Sequence, residues 1–257
     1  MIQVERLFKS FGSKPVLCDV SLNIREGETL AIIGRSGSGK SVLMKHLIGL
    51  LKPDSGRVLV DNIDINKISY SQLRHVRQQF GVLFQGGALF DSMNAFENIA
   101  SPLQTFTTKT SSEIRKQVEK CLDVVRLAGV GAKLPSELSG GMKKRVALAR
   151  AIAMQPRYII YDEPTSGLDP ETSNNINDLI KGLADQLDIT SIVVTHDMHS
   201  VLSIADRVAL IHASHMHWVG ITDDLHHSTD PVLRSFVKAN EYTIGDHAPK
   251  HLSLIHI

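Results

Sequence analysis

The chain predicts an α/β fold: a parallel sheet with helices on its faces, an α-helical insert in its middle, and antiparallel β strands ahead of it at the N-terminus. Three observations carry this expectation. Beyond residue 157, short apolar runs alternate with longer helical patterns (strand 158–162, helix 170–186, strand 190–195, helix 197–204, strand 207–211), as parallel strands joined by crossover helices require. From about Met93 to Met154 the spacing is helical, with no convincing strand. The segment Gly34-Arg35-Ser36-Gly37-Ser38-Gly39-Lys40-Ser41 fits G-x-x-x-x-G-K-[ST] directly after the apolar strand Leu30-Ala31-Ile32-Ile33, the context in which that pattern forms a phosphate-binding P-loop.

In chain order, residues 2–8 and 16–24 read as short strands about the turn Gly12-Ser13-Lys14-Pro15. Thr29 to Ile33 reads as a buried strand, and Ser41 to Leu51 as a helix stopped near Pro53 and Gly56. Gly81 to Phe84 is a further apolar strand. Within the helical block, Met142 to Met154 places Val146, Ala149 and Ala153 at i, i+3 and i+7. Residues 1–251 are expected to form a single domain, with an α/β core in 1–85 and 157–240 and a helical subdomain in 86–156. The last six residues, Leu252-Ser253-Leu254-Ile255-His256-Ile257, match one reading frame of a common transposon-derived sequencing adapter and are read as a non-native tail, the alternative being a short terminal strand.

Composition narrows the function. Twenty-eight basic against 27 acidic residues leave a net charge of +1, which gives no support to nucleic-acid or anionic-lipid binding by bulk charge. Cys18 and Cys121 lie far apart without a CxxC pattern and read as free thiols. No apolar run approaches the ~20 residues of a membrane span, and Met1-Ile2-Gln3-Val4-Glu5-Arg6 has no apolar signal region. The expected location is cytoplasmic, with other chains crossing any membrane at which the protein acts.

The motifs specify a triphosphate site. Glycines let the P-loop backbone pass close to phosphates, and the helix behind it turns free N–H groups toward the same anion. Lys40 is expected to reach the β- and γ-phosphates and Ser41 to ligate Mg²⁺. Asp162 ends the apolar run Tyr158-Ile159-Ile160-Tyr161 and is expected to partner Mg²⁺ through water. Glu163, beside it, could orient and deprotonate an attacking water, or be solvated or cap the following turn. His196, after Ile192-Val193-Val194-Thr195, could touch the γ-phosphate and hold Glu163 or the water, although a lone histidine among 12 is weak grounds by itself. Ser139-Gly140-Gly141 opens a helix and offers a second anion site. The stretch His212, His215, His217, His226 and His227 lacks a cysteine or spaced carboxylate to complete a metal site and reads as a polar edge, with His215 and His217 on one strand face.

Leu138-Ser139-Gly140-Gly141-Met142, lying between the P-loop and Asp162-Glu163, gives the chain its resemblance to the ABC ATPases over about residues 2–240. The resemblance implies a RecA-like P-loop NTPase core with an inserted α-helical subdomain, ATP as the nucleotide and Mg²⁺ as its ion. It also implies a head-to-tail homodimer, in which each Ser139-Gly140-Gly141 caps the nucleotide on the other copy's P-loop, working with separate transmembrane permease subunits. Gln85 matches the family's glutamine between the Mg²⁺ region and the helical subdomain. Asp169, in Ser166-Gly167-Leu168-Asp169, matches the loop that crosses the dimer interface. Phe11 matches the aromatic that stacks on adenine, the alternative being an apolar core contact. Met142 departs from the family's commoner glutamine. Residues 83–99 and 134–142 look like the Mla/Mce-type ATPases that move phospholipid between inner and outer membranes of Gram-negative bacteria. That likeness implies a peripheral place on the cytoplasmic face of the inner membrane, with an Mce-domain lipid-binding protein and a small STAS-domain protein as further partners. An importer of polar amino acids or other small solutes is the alternative. The non-transport branches, with long coiled coils or paired cassettes, fit less well.

Overall fold

The computed structural model describes residues 1–245, so residues 252–257 lie outside the described part. Its strands are β1 (Ile2–Phe11), β2 (Lys14–Ile24), β3 (Thr29–Ile33), β4 (Ser55–Val60), β5 (Ile63–Asp64), β6 (Phe80–Leu83), β7 (Tyr158–Asp162), β8 (Thr190–Val194), β9 (Arg207–His212) and β10 (His215–Ile221). Its helices are α1 (Lys40–Leu47), α2 (Tyr70–Gln78), α3 (Ala95–Phe106), α4 (Ser111–Val124), α5 (Gly140–Ile152), α6 (Pro170–Leu187), α7 (Met198–Ile204) and α8 (Pro231–Gly245).

The sheet that carries the P-loop has the order β10-β9-β3-β8-β7-β6. All of its neighbours pair in parallel except β10, which runs antiparallel along the edge. Period-two alternation sends its side chains into separate clusters. Leu30, Ile32, Ile160 and Ile192 face α1 and the antiparallel sheet β2-β1-β4-β5. On the opposite face, Ala31 and Ile33 meet α7 and α8, whereas Ile159, Tyr161 and Val193 meet α6 and the helical insert. Burial on both faces explains why these strands read as continuous apolar runs.

The insert α3–α5 shares its core with the sheet: Ile99, Leu103, Val118 and Val146 belong to the same cluster as Ile159 and Tyr161. Where α5 presses on β6, a β-carbon at Gly81 would lie 2.5 Å from the Ala151 carbonyl oxygen, so only glycine fits.

Several elements differ from the sequence expectation. Lys14 and Pro15 already belong to β2, paired with Phe11 and Ser10, so the turn is tighter than residues 12–15. The strands at 55–60 and 63–64 and the helices at 70–78 and 231–245 have no counterpart in the sequence reading. In α2 only Val76 is buried, which leaves little periodicity to read. In β4 Gly56 has φ +84° and only Val58 and Val60 are buried. His215 and His217 do share the exposed face of edge strand β10.

Candidate nucleotide site

Parallel neighbours β3, β8 and β7 bring their carboxyl ends to one edge, where α/β sheets gather ligand-binding loops. The first contribution is the P-loop. Gly34, Gly37 and Gly39 have φ of +153°, +77° and +107°. A β-carbon at Gly34 would lie 2.5 Å from the Ile211 carbonyl oxygen, and one at Gly39 would lie 2.8 Å from that of Val16. The loop is therefore closed to any larger residue at these two positions. Arg35, Ser36 and Ser41 are exposed. Ser38 Oγ is buried with no hydrogen-bond partner, an unmet polar atom inside a cradle of the kind that phosphate oxygens fill.

Lys40 is only 8% exposed, and its Nζ donates to the carbonyls of Gly34 (2.7 Å) and Arg35 (3.2 Å). Burial lowers its pKa, while Glu163 and Asp162 act to raise it. Asp162, the last residue of β7, has a carboxyl pKa raised by burial and by Glu163, against the opposing pull of Lys40 and Lys45. A carboxylate whose charge is disfavoured by burial and by a neighbouring carboxylate, as that of Asp162 is, suits a cation beside it. No group of three or more His, Cys, Asp or Glu among the described residues could hold a metal alone. A hydroxyl, one carboxylate and an amide suit Mg²⁺, which keeps several waters and binds through few protein ligands plus phosphate.

Glu163 has the left-handed φ of +50°, a conformation that costs about 1–3 kcal/mol and clusters at functional sites. The surroundings hold it there. Its N–H donates to the Val194 carbonyl at 2.8 Å. Its Oε1 lies 2.8 Å from His196 Nδ1, and its Oε2 accepts from Thr195 Oγ1 at 3.2 Å. Lys144 of α5 donates to the Glu163 carbonyl at 3.3 Å. The carboxylate is thus held by Thr195 and His196, just past the end of β8, while Val194 and the insert's Lys144 hold the backbone beneath it.

Gln85 reaches the same loop, its Nε2 donating to Ser166 Oγ at 3.4 Å. Asp169 is the N-cap of α6, accepting from the Thr172 N–H at 2.9 Å. Ser139 is the N-cap of α5, its Oγ accepting from the Met142 N–H at 3.3 Å, and Gly140 and Gly141 form that helix's first turn. A β-carbon at Gly141 would come within 2.5 Å of Thr172 Cγ2, so this turn abuts the start of α6. Phe11 is 49% exposed, which excludes the core contact. It ends β1, and Val16 and Leu17 of the paired strand β2 flank Gly39.

His217 Nε2 is 2.9 Å from Asp230 Oδ2 and its ring stands edge-on to His212 at 5.7 Å. Sequence reasoning missed Lys144 and Arg150, whose guanidinium donates to the carbonyls of Ala88 (2.8 Å) and Gly87 (2.9 Å). A signal existed for Lys144: a cation with Ala147, Leu148 and Ala151 at i+3, i+4 and i+7 sits on the apolar face of its helix.

Comparison with known proteins adds to this geometry. The ABC transporter family model matches residues 17–166. The probable ribonucleotide transport ATP-binding protein mkl of Mycobacterium leprae is 44% identical over 92% of this chain and 68% of its own length; the chain thus spans about two thirds of that relative. The intermembrane phospholipid transport system ATP-binding protein MlaF of Haemophilus influenzae is 41% identical over 93% of this chain and 90% of its own. The methionine import ATP-binding protein MetN of Clostridium tetani is 39% identical over 94% and 76%. Among solved structures, a dimeric ATP-binding cassette in a post-hydrolysis state, bound to ADP and Pi, superposes with a TM-score of 0.79 at 33% identity, over 86% of this chain and 98% of that one. A family match over more than half of the chain, and relatives of this identity over nearly all of it, show that the chain belongs to the ABC transporter family, as an ATPase that binds and hydrolyses ATP in the service of transport.

Proposed function

We propose that this ATPase drives phospholipid transport between inner and outer membranes, from a peripheral position on the cytoplasmic face of the inner membrane. The observation that carries the reading is the relationship to MlaF, the relative matched over nine tenths of its own length, together with the likeness in residues 83–99 and 134–142. No described helix is long and apolar enough to cross a membrane, so separate permease subunits supply the path. An Mce-domain lipid-binding protein and a small STAS-domain protein complete the expected assembly. Import of polar amino acids or other small solutes is the second reading, favoured by the 39% identity to the methionine import protein MetN. The genes beside this one discriminate. An Mce-domain protein and a multi-span permease are expected; a periplasmic solute-binding protein in their place overturns the lipid reading.

In the proposed chemistry, P-loop N–H groups and Lys40 hold the β- and γ-phosphates. Glu163, aimed by His196 and Thr195, accepts the proton of the attacking water. His196, exposed and beside Glu163, steadies that water against the γ-phosphate. Mg²⁺, held by Ser41, by Gln85 and through water by Asp162, would supply positive charge against the phosphate oxygens. Phe11 stacks on the adenine. Asp169 carries the α6 end of the loop that meets the second copy. A head-to-tail pair places each Ser139-Gly140-Gly141 turn over the other copy's γ-phosphate, which the dimeric state of the similar cassette supports.

A further inference from the structure

The buried ammonium of Lys144 takes no part in the steps above. It is 6% exposed, and a buried ion persists only where it finds acceptors. Its three acceptors are all backbone carbonyls: Glu163 at 3.3 Å, Pro164 at 2.7 Å and Ser166 at 2.6 Å. An ammonium has three N–H donors and no lone pair, so donors and acceptors match in number. The peptide it grips starts at Glu163, whose φ of +50° is a conformation that residues with a β-carbon rarely adopt without outside support. Burial lowers the Lys144 pKa and Glu163 raises it in part, so ammonium and carboxylate lie in each other's field. The same helix starts at Ser139, and its Gly141 abuts Thr172. Helix α5 is thus joined to the loop from Glu163 to Asp169 by Lys144, and to the start of α6, which follows that loop, by Gly141.

We propose that Lys144 is a positioning residue for Glu163, holding the carbonyls of Glu163, Pro164 and Ser166 so that the carboxylate keeps its aim at the attacking water and that aim is tied to the helix bearing Ser139. The inference rests on the reading of Glu163 as general base. Lys144 acts through Glu163 and touches no nucleotide.

The test is a double-mutant cycle on the full chain, with steady-state ATPase kinetics and calorimetric ATP binding. Lys144→Met should lower kcat by about 10- to 100-fold, the usual effect of misplacing a catalytic group by about 1 Å, with the KM and Kd for ATP little changed. Adding Glu163→Gln to Lys144→Met should make turnover no slower than Glu163→Gln alone, because residues acting as one unit are not additive. Lys144→Arg, which keeps the charge and several donors, should recover most of the turnover. If thermal melting shows that Lys144→Met does not fold, Lys144→Gln carries the same cycle. A slow Glu163→Gln beside a Lys144→Met of wild-type kcat overturns the positioning role alone, as does a double variant slowed by the product of the two losses. A Glu163→Gln that turns over like wild type removes the base reading, and the positioning role falls with it.

Discussion

The proposed site draws on two helix N-termini, and they are built on opposite plans. At α1 the N-cap is Gly39, left-handed at φ +107° and without a side-chain cap. Glycines allow the loop to wrap, and a buried lysine supplies charge from within. At α5 the N-cap is Ser139, extended at φ −64° and ψ 164°, with its own hydroxyl accepting one of the helix's free N–H groups. That turn has Gly140 and Gly141, no acidic residue, and no lysine until Lys143. The first is an enclosure and the second an exposed cap, with one N–H already satisfied. An enclosure binds phosphate by itself; a cap needs an enclosure brought to it. The geometry of one chain thus explains why a second copy belongs to the proposed cycle.

The strongest attack on this contrast removes the charge inside the enclosure. Lys40→Ala should abolish detectable ATP binding, because the loop loses the buried ammonium that it wraps and holds on the carbonyls of Gly34 and Arg35. Calorimetry with Mg²⁺ present is the check, and tight binding by the variant would contradict the assignment. Glu163→Gln comes next. It should bind ATP and hydrolyse it at least ~100-fold more slowly, from the usual size of general-base effects. Sizing chromatography should then show an ATP-held dimer, and turnover near wild type without such a dimer would sink the role.

The cap should fail differently from the enclosure. Ser139→Arg should leave ATP binding by the single chain nearly intact and yet stop hydrolysis, because the new cation blocks the partner's γ-phosphate. The sharper form mixes Ser139→Arg chains with Lys40→Ala chains. Head-to-tail pairing puts both lesions in one composite site and neither in the other, so one site should still bind ATP. Loss of binding at both sites rules out the trans arrangement.

What could be read from the sequence follows the same division. The P-loop, Asp162-Glu163 and His196 were legible because each stands at the carboxyl end of a strand buried on both faces, and a fixed motif marks that end. Ser139 was legible as a helix start. The contacts that organise these residues were not. Lys144 reaches the Glu163 loop across 19 positions and Arg150 reaches Gly87 across 63, and such pairings exist only once α5 is docked on the sheet. Strand β4 escaped because half of it is exposed and it holds a positive-φ glycine, and β5 because it has only two residues. Helix α8 had a start signal in Asp230-Pro231, and the Leu233 N–H does donate to Asp230 at 2.7 Å. The sequence reading treated that region only as the end of the core, and so the signal went unused.

The smallest test applies the same change to both caps. Gly39→Ala adds a β-carbon 2.8 Å from Val16 O at a left-handed φ, so either the loop or β2 must shift. Weaker ATP binding by roughly tenfold or more is expected, on the scale of a ~1–3 kcal/mol backbone strain. Ser139→Ala removes a hydroxyl whose hydrogen bond is 3.3 Å long and leaves every N–H of the turn in place. It should lower stability by about 1 kcal/mol, the usual value of a lost N-cap, read as a small fall in melting temperature. ATP binding by the single chain should not change, and hydrolysis should fall far less than in Ser139→Arg, since the backbone donors remain. If Ser139→Ala weakens nucleotide binding as much as Gly39→Ala does, the α5 turn is part of its own chain's enclosure, and the division between enclosure and cap is lost.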